Sequence, residues 1–145
     1  VRQRRYANSF YVDYFETVNG ITVFTEPSKA FFSNHWLTAI IINKDLCGVT
    51  KEEVADAFAA AEIEVRPIWK PMHLQPIFVN AAYYGGTVAE ELFGTGLCLP
   101  SGSNLSASDW KRIINVLRRI FQQENVVPHS LKNEQKATAK KTTQI

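Results

Sequence analysis

Trp36-Leu37-Thr38-Ala39-Ile40-Ile41-Ile42 is the stretch on which the architecture of this 145-residue chain turns. It is aromatic and β-branched, with Asn34-His35 before it and Asn43-Lys44 after it, the signature of a strand. Its near-continuous apolarity predicts burial on both faces. Shorter segments supply neighbours for it. Ile21 to Phe24 and Ile63 to Arg66 read as strands, and Leu97-Cys98-Leu99-Pro100 as a brief one whose proline marks its end or a sheet edge.

Helical periods surround these strands. Tyr6, Phe10, Tyr14 and Val18 recur at four-residue spacing beside Ala7, Tyr11 and Phe15, which predicts a helix over 2–18 stopping at Asn19-Gly20. Thr50-Lys51-Glu52-Glu53 is a capping box that opens a helix with Val54, Ala57, Phe58 and Ala61 on one face. Thr87 to Phe93 fits a short helix ended by Gly94 and Gly96. Ser101 to Asn104 is a turn, after which Ser106, with Asp109 three residues on, caps a last helix. The stripe of that helix is Trp110, Ile113, Ile114, Leu117 and Phe121, and Pro128 marks its end. There is no internal repeat. The order implies an α/β sandwich: a small, mostly antiparallel or mixed sheet covered by helices mainly on one face.

The length is that of one domain, and 46% hydrophobic residues suffice for a core. The formal charge of +2 is uneven. From His129 onward there are four lysines and one acid, which leaves 12 basic and 13 acidic residues before it. The nearly neutral body carries no nucleic-acid footprint. Residues 129–145 read as a basic, disordered tail. Cys47 and Cys98 do not make a disulfide framework. No apolar run is long enough to cross a membrane, so a reducing cytoplasm is the expected setting. The apolar stripe is already in phase at Val1, with no initiator Met or cap before it, as in a piece cut from a longer chain.

The segment Arg66-Pro67-Ile68-Trp69-Lys70-Pro71-Met72-His73-Leu74-Gln75-Pro76-Ile77-Phe78 is least explained by folding alone. Its prolines exclude a regular helix and push Arg66, Lys70 and Gln75 toward extended backbone, which predicts a stiff, extended loop. That loop offers a guanidinium fork, an indole face, an imidazole and an amide, an assortment suited to the wall of a polar ligand pocket. The bland alternative is a loop that seals the core with Trp69 and Phe78. Ser33-Asn34-His35-Trp36 lies at the mouth of the central strand, where a turn capped by Asn34 and a core Trp36 compete with ligand contact. His35, His73 and His129 share no metal-ligand spacing, and Gly94-Thr95-Gly96 lacks the third glycine and the following helix of a phosphate loop. The two cysteines sit among apolar residues, where inert packing is the commoner role.

The pattern Arg66-Pro-x-Trp69-Lys-Pro71-Met-His73-Leu-Gln75-Pro76 resembles the small-domain motif of the DegT-type nucleotide-sugar aminotransferases, which are pyridoxal phosphate enzymes of fold type I. Ser33-Asn34-His35-Trp36-Leu37-Thr38 looks like the family's Ser-Asn-x-Trp-Leu-Thr strand, with His35 where the family often has Arg. Ala89-Glu90 followed by Gly96 to Gly102 is similar to its closing helix and strand. The three occur in the family's order over about residues 1 to 122. The proline segment is closest to the branch that aminates UDP-4-keto-6-deoxy-N-acetylglucosamine in polysaccharide or glycan biosynthesis.

The resemblance implies that residues 1–128 are the C-terminal small domain of a cytoplasmic, homodimeric aminotransferase. It implies a nucleotide-sugar substrate, an amino donor such as glutamate, and pyridoxal phosphate bound by an absent large domain. Neither nucleic acid nor membrane is among the partners. The cofactor lysine lies upstream in the family. Ser106 to Lys111 matches its Ser-x-x-x-x-Lys spacing but opens an amphipathic helix without the surrounding glycines. No catalytic residue is therefore expected here, and the chain alone is expected to be inactive. Arg66 and His73 are the expected substrate contacts, Trp69 and Gln75 shape the entrance, and Asn34 and Trp36 stand nearby. A competing reading is a stand-alone α/β module that binds an anionic ligand through Arg66–Phe78, and a third is a basic-tailed nucleic-acid binder. A piece of a two-domain enzyme should expose an apolar docking face, expected on the first helix, whereas a stand-alone module should not.

Overall fold

The computed structural model describes residues 1–122; the tail of 129–145 lies outside the described residues. The elements are α1 (Arg2–Phe15), β1 (Ile21–Val23), β2 (Thr38–Ile42), α2 (Lys44–Cys47), α3 (Lys51–Ala60), β3 (Arg66–Pro67), α4 (Val88–Thr95), β4 (Gly96–Leu99) and α5 (Ala107–Phe121). Two single 3-10 turns, Met72–Leu74 and Pro76–Phe78, lie between β3 and α4. The four strands form one open sheet in the order β1-β2-β4-β3, and every pairing is antiparallel.

Register decides which side chains enter the core. Ile40 stands opposite Val23 and Leu97, and Leu97 opposite Pro67, so this row faces one side of the sheet. Ala39, Cys98 and Arg66 form the neighbouring row on the other side. The first side is covered by α1, α3 and α5. Phe10, Tyr11 and Tyr14, Val54 and Phe58, and Ile113 and Leu117 are buried there with Ile40 and Leu97. Trp110 lies at the centre of the aromatic part, its ring centroid 4.4 Å from Phe10 and 5.8 Å from Tyr11. Tyr11 also donates its hydroxyl to the Pro100 carbonyl at 2.8 Å, which ties α1 to the end of β4 and satisfies a polar group that burial would otherwise penalise.

Both caps take the expected form. Thr50 and Glu53 exchange side-chain and backbone hydrogen bonds at the start of α3, and Ser106 and Asp109 do the same at α5. Replacing Ser106 by alanine should lower stability by about 1 kcal/mol. This would be read as a lower urea midpoint at unchanged slope; an unchanged midpoint would count against the cap.

Several expectations need correction. Burial on both faces belongs to the central strand β4, where all four residues are buried, and not to β2, where Thr38, Ile40 and Ile42 are buried while Ala39 and Ile41 are only half-buried. Helix α4 contacts β2 and β4, with its Leu92 carbonyl close to Gly96. Because β4 is interior, Pro100 ends it and marks no edge. The strand expected over 63–66 shrinks to Arg66–Pro67, since a strand of two residues is all that pairs with β4 before the next turn. Helix α1 stops at Phe15 and the chain turns through 16–20. Gly20 adopts φ +82°, and a Cβ there would stand 2.8 Å from the Asn43 carbonyl and the Cys47 amide. Its bare backbone thus lets that turn pack on α2. Helix α5 ends at Phe121 with Gln122 in the left-handed conformation, seven residues short of Pro128.

The expected docking face is misplaced too. The aromatic residues of α1 are spent on the core, with Phe10, Tyr11 and Tyr14 fully buried. The exposed apolar side chains stand instead on loops: Phe31, Phe32 and Trp36 before β2, and Trp69, Met72 and Ile77 after β3. Among the described residues no helix is long and apolar enough to cross a membrane.

Candidate functional site

The proline segment begins as the outer edge of the sheet. Pairing of Arg66 with Cys98 sends Arg66 to the face away from the core, and Pro67, opposite Leu97, to the core side. The amide of Ile68 then donates to the Gly96 carbonyl at 3.2 Å, after which Trp69 leaves the sheet. Extended backbone continues only in part: Gln75 is extended at φ −72°, ψ 138°, but Pro71 and Pro76 each lead into a 3-10 turn. A fixed proline φ suits the first residue of such a turn, the place Pro76 takes, while Pro71 stands just before its turn with extended backbone at ψ 145°. The segment is stiff yet not straight.

Trp36 reaches the same place from the other side. Asn34 Oδ1 accepts from the Trp36 amide at 2.9 Å, so Asn34 caps the turn, as its bland alternative held. Trp36 itself does not pack in the core; 59% of it is exposed, and its ring lies 6.1 Å from that of Trp69 at a tilt of 38°. Trp36, Trp69 and Arg66, together with Arg4, Cys98 and Ser101, line one cavity of about 550 Å3 on the second face. That volume is in the range of small-molecule sites. Arg66 is paired to Glu64, with both side chains largely exposed, so its guanidinium remains available at the rim. The thiol of Cys98, on the floor, is pushed above its usual value by burial, which suits packing and not nucleophilic attack.

Three of the six expected site residues therefore meet in this cavity. The other three do not line it. Asn34 forms the turn that presents Trp36. The amide of Gln75 turns back to the Lys70 carbonyl at 3.4 Å and braces its own loop. His73 is held against α4, with Nε2 2.8 Å from Glu90 Oε1 and its ring stacked on Tyr83. Neither Arg66 nor His73 is buried in the core.

Arg4 and Arg5, in the first turn of α1, were not among the expected residues. Arg4 donates to the carbonyls of Trp36 and Ser101, one from each wall of the cavity. Arg5 binds Glu26 and the Ser33 carbonyl and lies over the Phe32 ring, 4.4 Å from its centroid. Glu26 Oε1 also accepts from the Ser33 amide at 2.8 Å and stands 3.8 Å from His35 Nε2. His35 is buried with φ +45°, a strained conformation for a residue other than glycine. The only signal in the sequence is three arginines, Arg2, Arg4 and Arg5, opening an aromatic-faced helix, which by itself reads as a solvated end.

The Arg5 bond and the Ser33 amide pull the Glu26 carboxyl down from 4.5 to about 2. A folded value below the unfolded one means that its charge stabilises the fold fully above about 4.5, and that this contribution is lost as the pH falls toward 2. Glu26→Gln should therefore be less stable than wild type at neutral pH, with the gap closing through that acid window in urea titrations. A gap that stays constant to pH 2 would sink the assignment.

The described lysines do not form a cofactor site. Lys29, Lys44, Lys70 and Lys111 are exposed, and Lys51 Nζ is taken by the Phe93 carbonyl and ring. Ser106, the accidental match to the family's serine, serves as the cap of α5. Among the described residues no group of three His, Cys, Asp or Glu could hold a metal ion.

The model of the DegT/DnrJ/EryC1/StrS aminotransferase family matches residues 1–118. A putative pyridoxal phosphate-dependent aminotransferase of Bacillus subtilis, EpsN, is 35% identical over 130 residues, covering 87% of this chain and 32% of EpsN. GDP-perosamine synthase of Caulobacter vibrioides is 30% identical over 99 residues, 67% of this chain and 26% of that protein. The aminotransferase TlmJ of Streptoalloteichus hindustanus superposes with a TM-score of 0.69 at 21% identity, over 83% of this chain and 31% of TlmJ. The sandwich is thus the fold of part of an aminotransferase chain, and this chain spans about a third or less of the relatives it matches.

Proposed function

The chain belongs to the DegT/DnrJ/EryC1/StrS aminotransferase family, and on that footing we propose that residues 1–128 are the C-terminal small domain of a pyridoxal phosphate-dependent enzyme that aminates a nucleotide-linked sugar. The cofactor supplies the carrier for the amino group, drawn from a donor such as glutamate and delivered to a C4 ketone. The described lysines of this chain do not fit it; this reading assigns the lysine and cofactor to the large domain of the full enzyme, and no step of the transfer is assigned to residues here.

What this chain contributes is binding and orientation. The supporting observation is the convergence of Trp36, Arg66 and Trp69 on one cavity. Two indole faces give a planar or sugar ring an apolar wall, and the Arg66 fork at the rim suits a phosphate. His73 stands outside this cavity, against α4, and in this reading is a separate substrate contact, while Gln75 and Asn34 act by fixing the loops. The exposed apolar side chains of 31–36 and 69–79 are the natural place for the cofactor-bearing domain to dock. They also weigh against a stand-alone module. A UDP-linked 4-keto-6-deoxy-N-acetylglucosamine is the substrate favoured by the wording of the proline segment; a cytoplasmic homodimer working in polysaccharide biosynthesis completes the reading.

A chimera in which this chain replaces the matching third of EpsN tests it. With glutamate and cofactor, the chimera should aminate the UDP-linked 4-keto sugar. Amination of a GDP-linked 4-keto sugar alone would overturn the UDP assignment, and a folded, cofactor-loaded chimera that aminates neither would overturn the function.

A further inference from the structure

His73 is fixed by two residues that nothing in the family resemblance assigns to it. We propose that Glu90 and Tyr83 are positioning residues for His73: they hold its ring with the proton on Nε2, so that Nδ1 is left as a hydrogen-bond acceptor. The ligand donor it would receive is a hydroxyl, such as those of the sugar in the reading above, on which that one part rests.

The chemistry follows from the partner. Glu90 Oε1 lies 2.8 Å from His73 Nε2, and a carboxylate can only accept. Nε2 must therefore donate, and in the neutral ring the other nitrogen then carries the lone pair. A histidine without such a partner exchanges its proton between the two nitrogens, so the carboxylate decides what His73 can recognise.

Tyr83 supplies the second constraint. Its ring lies parallel to the imidazole, with centroids 3.8 Å apart and planes 25° apart, which blocks rotation about the last side-chain bond. Tyr83 is itself pinned, since its hydroxyl donates to the Gly86 carbonyl at 2.7 Å. A Cβ on Gly85 would stand 2.8 Å from that hydroxyl and 3.1 Å from Cζ. Gly85 thus gives the ring room to fold back onto His73.

The backbone places Glu90 for this task. It occupies the third position of α4, in the first turn, where a carboxylate is favoured. Its neighbour Glu91 accepts from the Thr87 hydroxyl, which leaves Glu90 to reach out of the helix. Segment 70–86 is otherwise tied by local bonds such as Leu74 N to Pro71 O and Ala81 N to Phe78 O. The Glu90 bond is the link that carries the middle of the proline segment to a regular element.

The test reads the tautomer in the 145-residue chain. With ring-15N histidine in alkaline buffer, the His73 signals, assigned by their loss in His73→Asn, should show an acceptor-type Nδ1 and a protonated Nε2. Glu90→Ala should move both toward the exchange-averaged position. Glu90→Gln, whose amide oxygen can accept the same bond, should restore the wild-type pattern, which a merely structural loss would not do. An averaged or Nδ1-protonated ring in the wild type would overturn the proposal, as would a pattern unmoved by Glu90→Ala or unrestored by Glu90→Gln. No ligand is needed, so failure of the nucleotide-sugar reading would appear separately, in the chimera assay.

Discussion

Gly96→Ala is expected to lower stability toward the upper end of the range for overpacked cores, about 1–3 kcal/mol. Gly96 sits where α4 runs directly into β4, opposite Ile41 and beneath the proline segment. An added Cβ would stand 2.5 Å from the Leu92 carbonyl oxygen and 2.8 Å from Ile68 Cγ1, with Ile68 Cδ1 closer still. A side chain can turn away, but the Leu92 carbonyl belongs to the last turn of a helix and cannot move without opening it. The Ile68 amide also donates to the Gly96 carbonyl, so a shifted Gly96 disturbs the joint from which Trp69 projects. Urea unfolding measures the loss, and a double variant identifies its cause. Ile68→Ala removes one obstacle and leaves the other, so the double variant should be more stable than the sum of the two single losses implies. Strict additivity would mean that Ile68 is not what crowds the site.

Gly96 also illustrates what could be read from the residues. As a helix stop it was legible, and the reason it must be glycine was not, because Ile68 is 28 positions away in the chain and only strand pairing brings it near. The same division holds elsewhere. The capping boxes at Thr50 and Ser106 and the stripe of α5 are local patterns with local causes, and they survive folding unchanged. The short α2 offered only Asn43 and Gly48, since four residues cannot display a helical period. The register of β2, which leaves Ala39 and Ile41 half-buried, depends on what lies over the second face, and a single strand's composition does not carry that information.

The site divides along the same line. Residue type and spacing singled out Trp36, Arg66 and Trp69, and antiparallel pairing brings them to one cavity. The roles of Arg4 and Arg5 were invisible because both act on carbonyls and a carboxylate more than twenty residues away. His73 was legible as a functional type, but its partner Glu90 lies 17 residues on, beyond two 3-10 turns. The docking face was misassigned for a physical reason. Helical periodicity reports that a face is apolar and says nothing of what covers it, and α1 turns its stripe to its own core.

The exposed indoles supply the prediction with the largest effect on function. In the EpsN chimera, Trp69→Ala should raise KM for the nucleotide sugar by about tenfold to a hundredfold, the loss of about 1–3 kcal/mol of aromatic contact. Its kcat should change less, because a wall that binds ground state and transition state alike contributes uniform binding. Trp36→Ala should act in the same direction. The two rings touch at 6.1 Å, so removing one frees the other, and the double variant should fall short of the product of the single effects. In the 145-residue chain by itself, stability should hardly move in either case, since there the rings are 59% and 65% exposed. This is the converse of Gly96→Ala, which strikes the fold and reaches the ligand only through the joint at Ile68. A tryptophan that packed merely to seal the core would behave the other way, with an unfolding midpoint that collapses and a KM that stays put. A fall in kcat at constant KM would likewise remove both indoles from the binding wall, because it would place their interaction in the transition state alone.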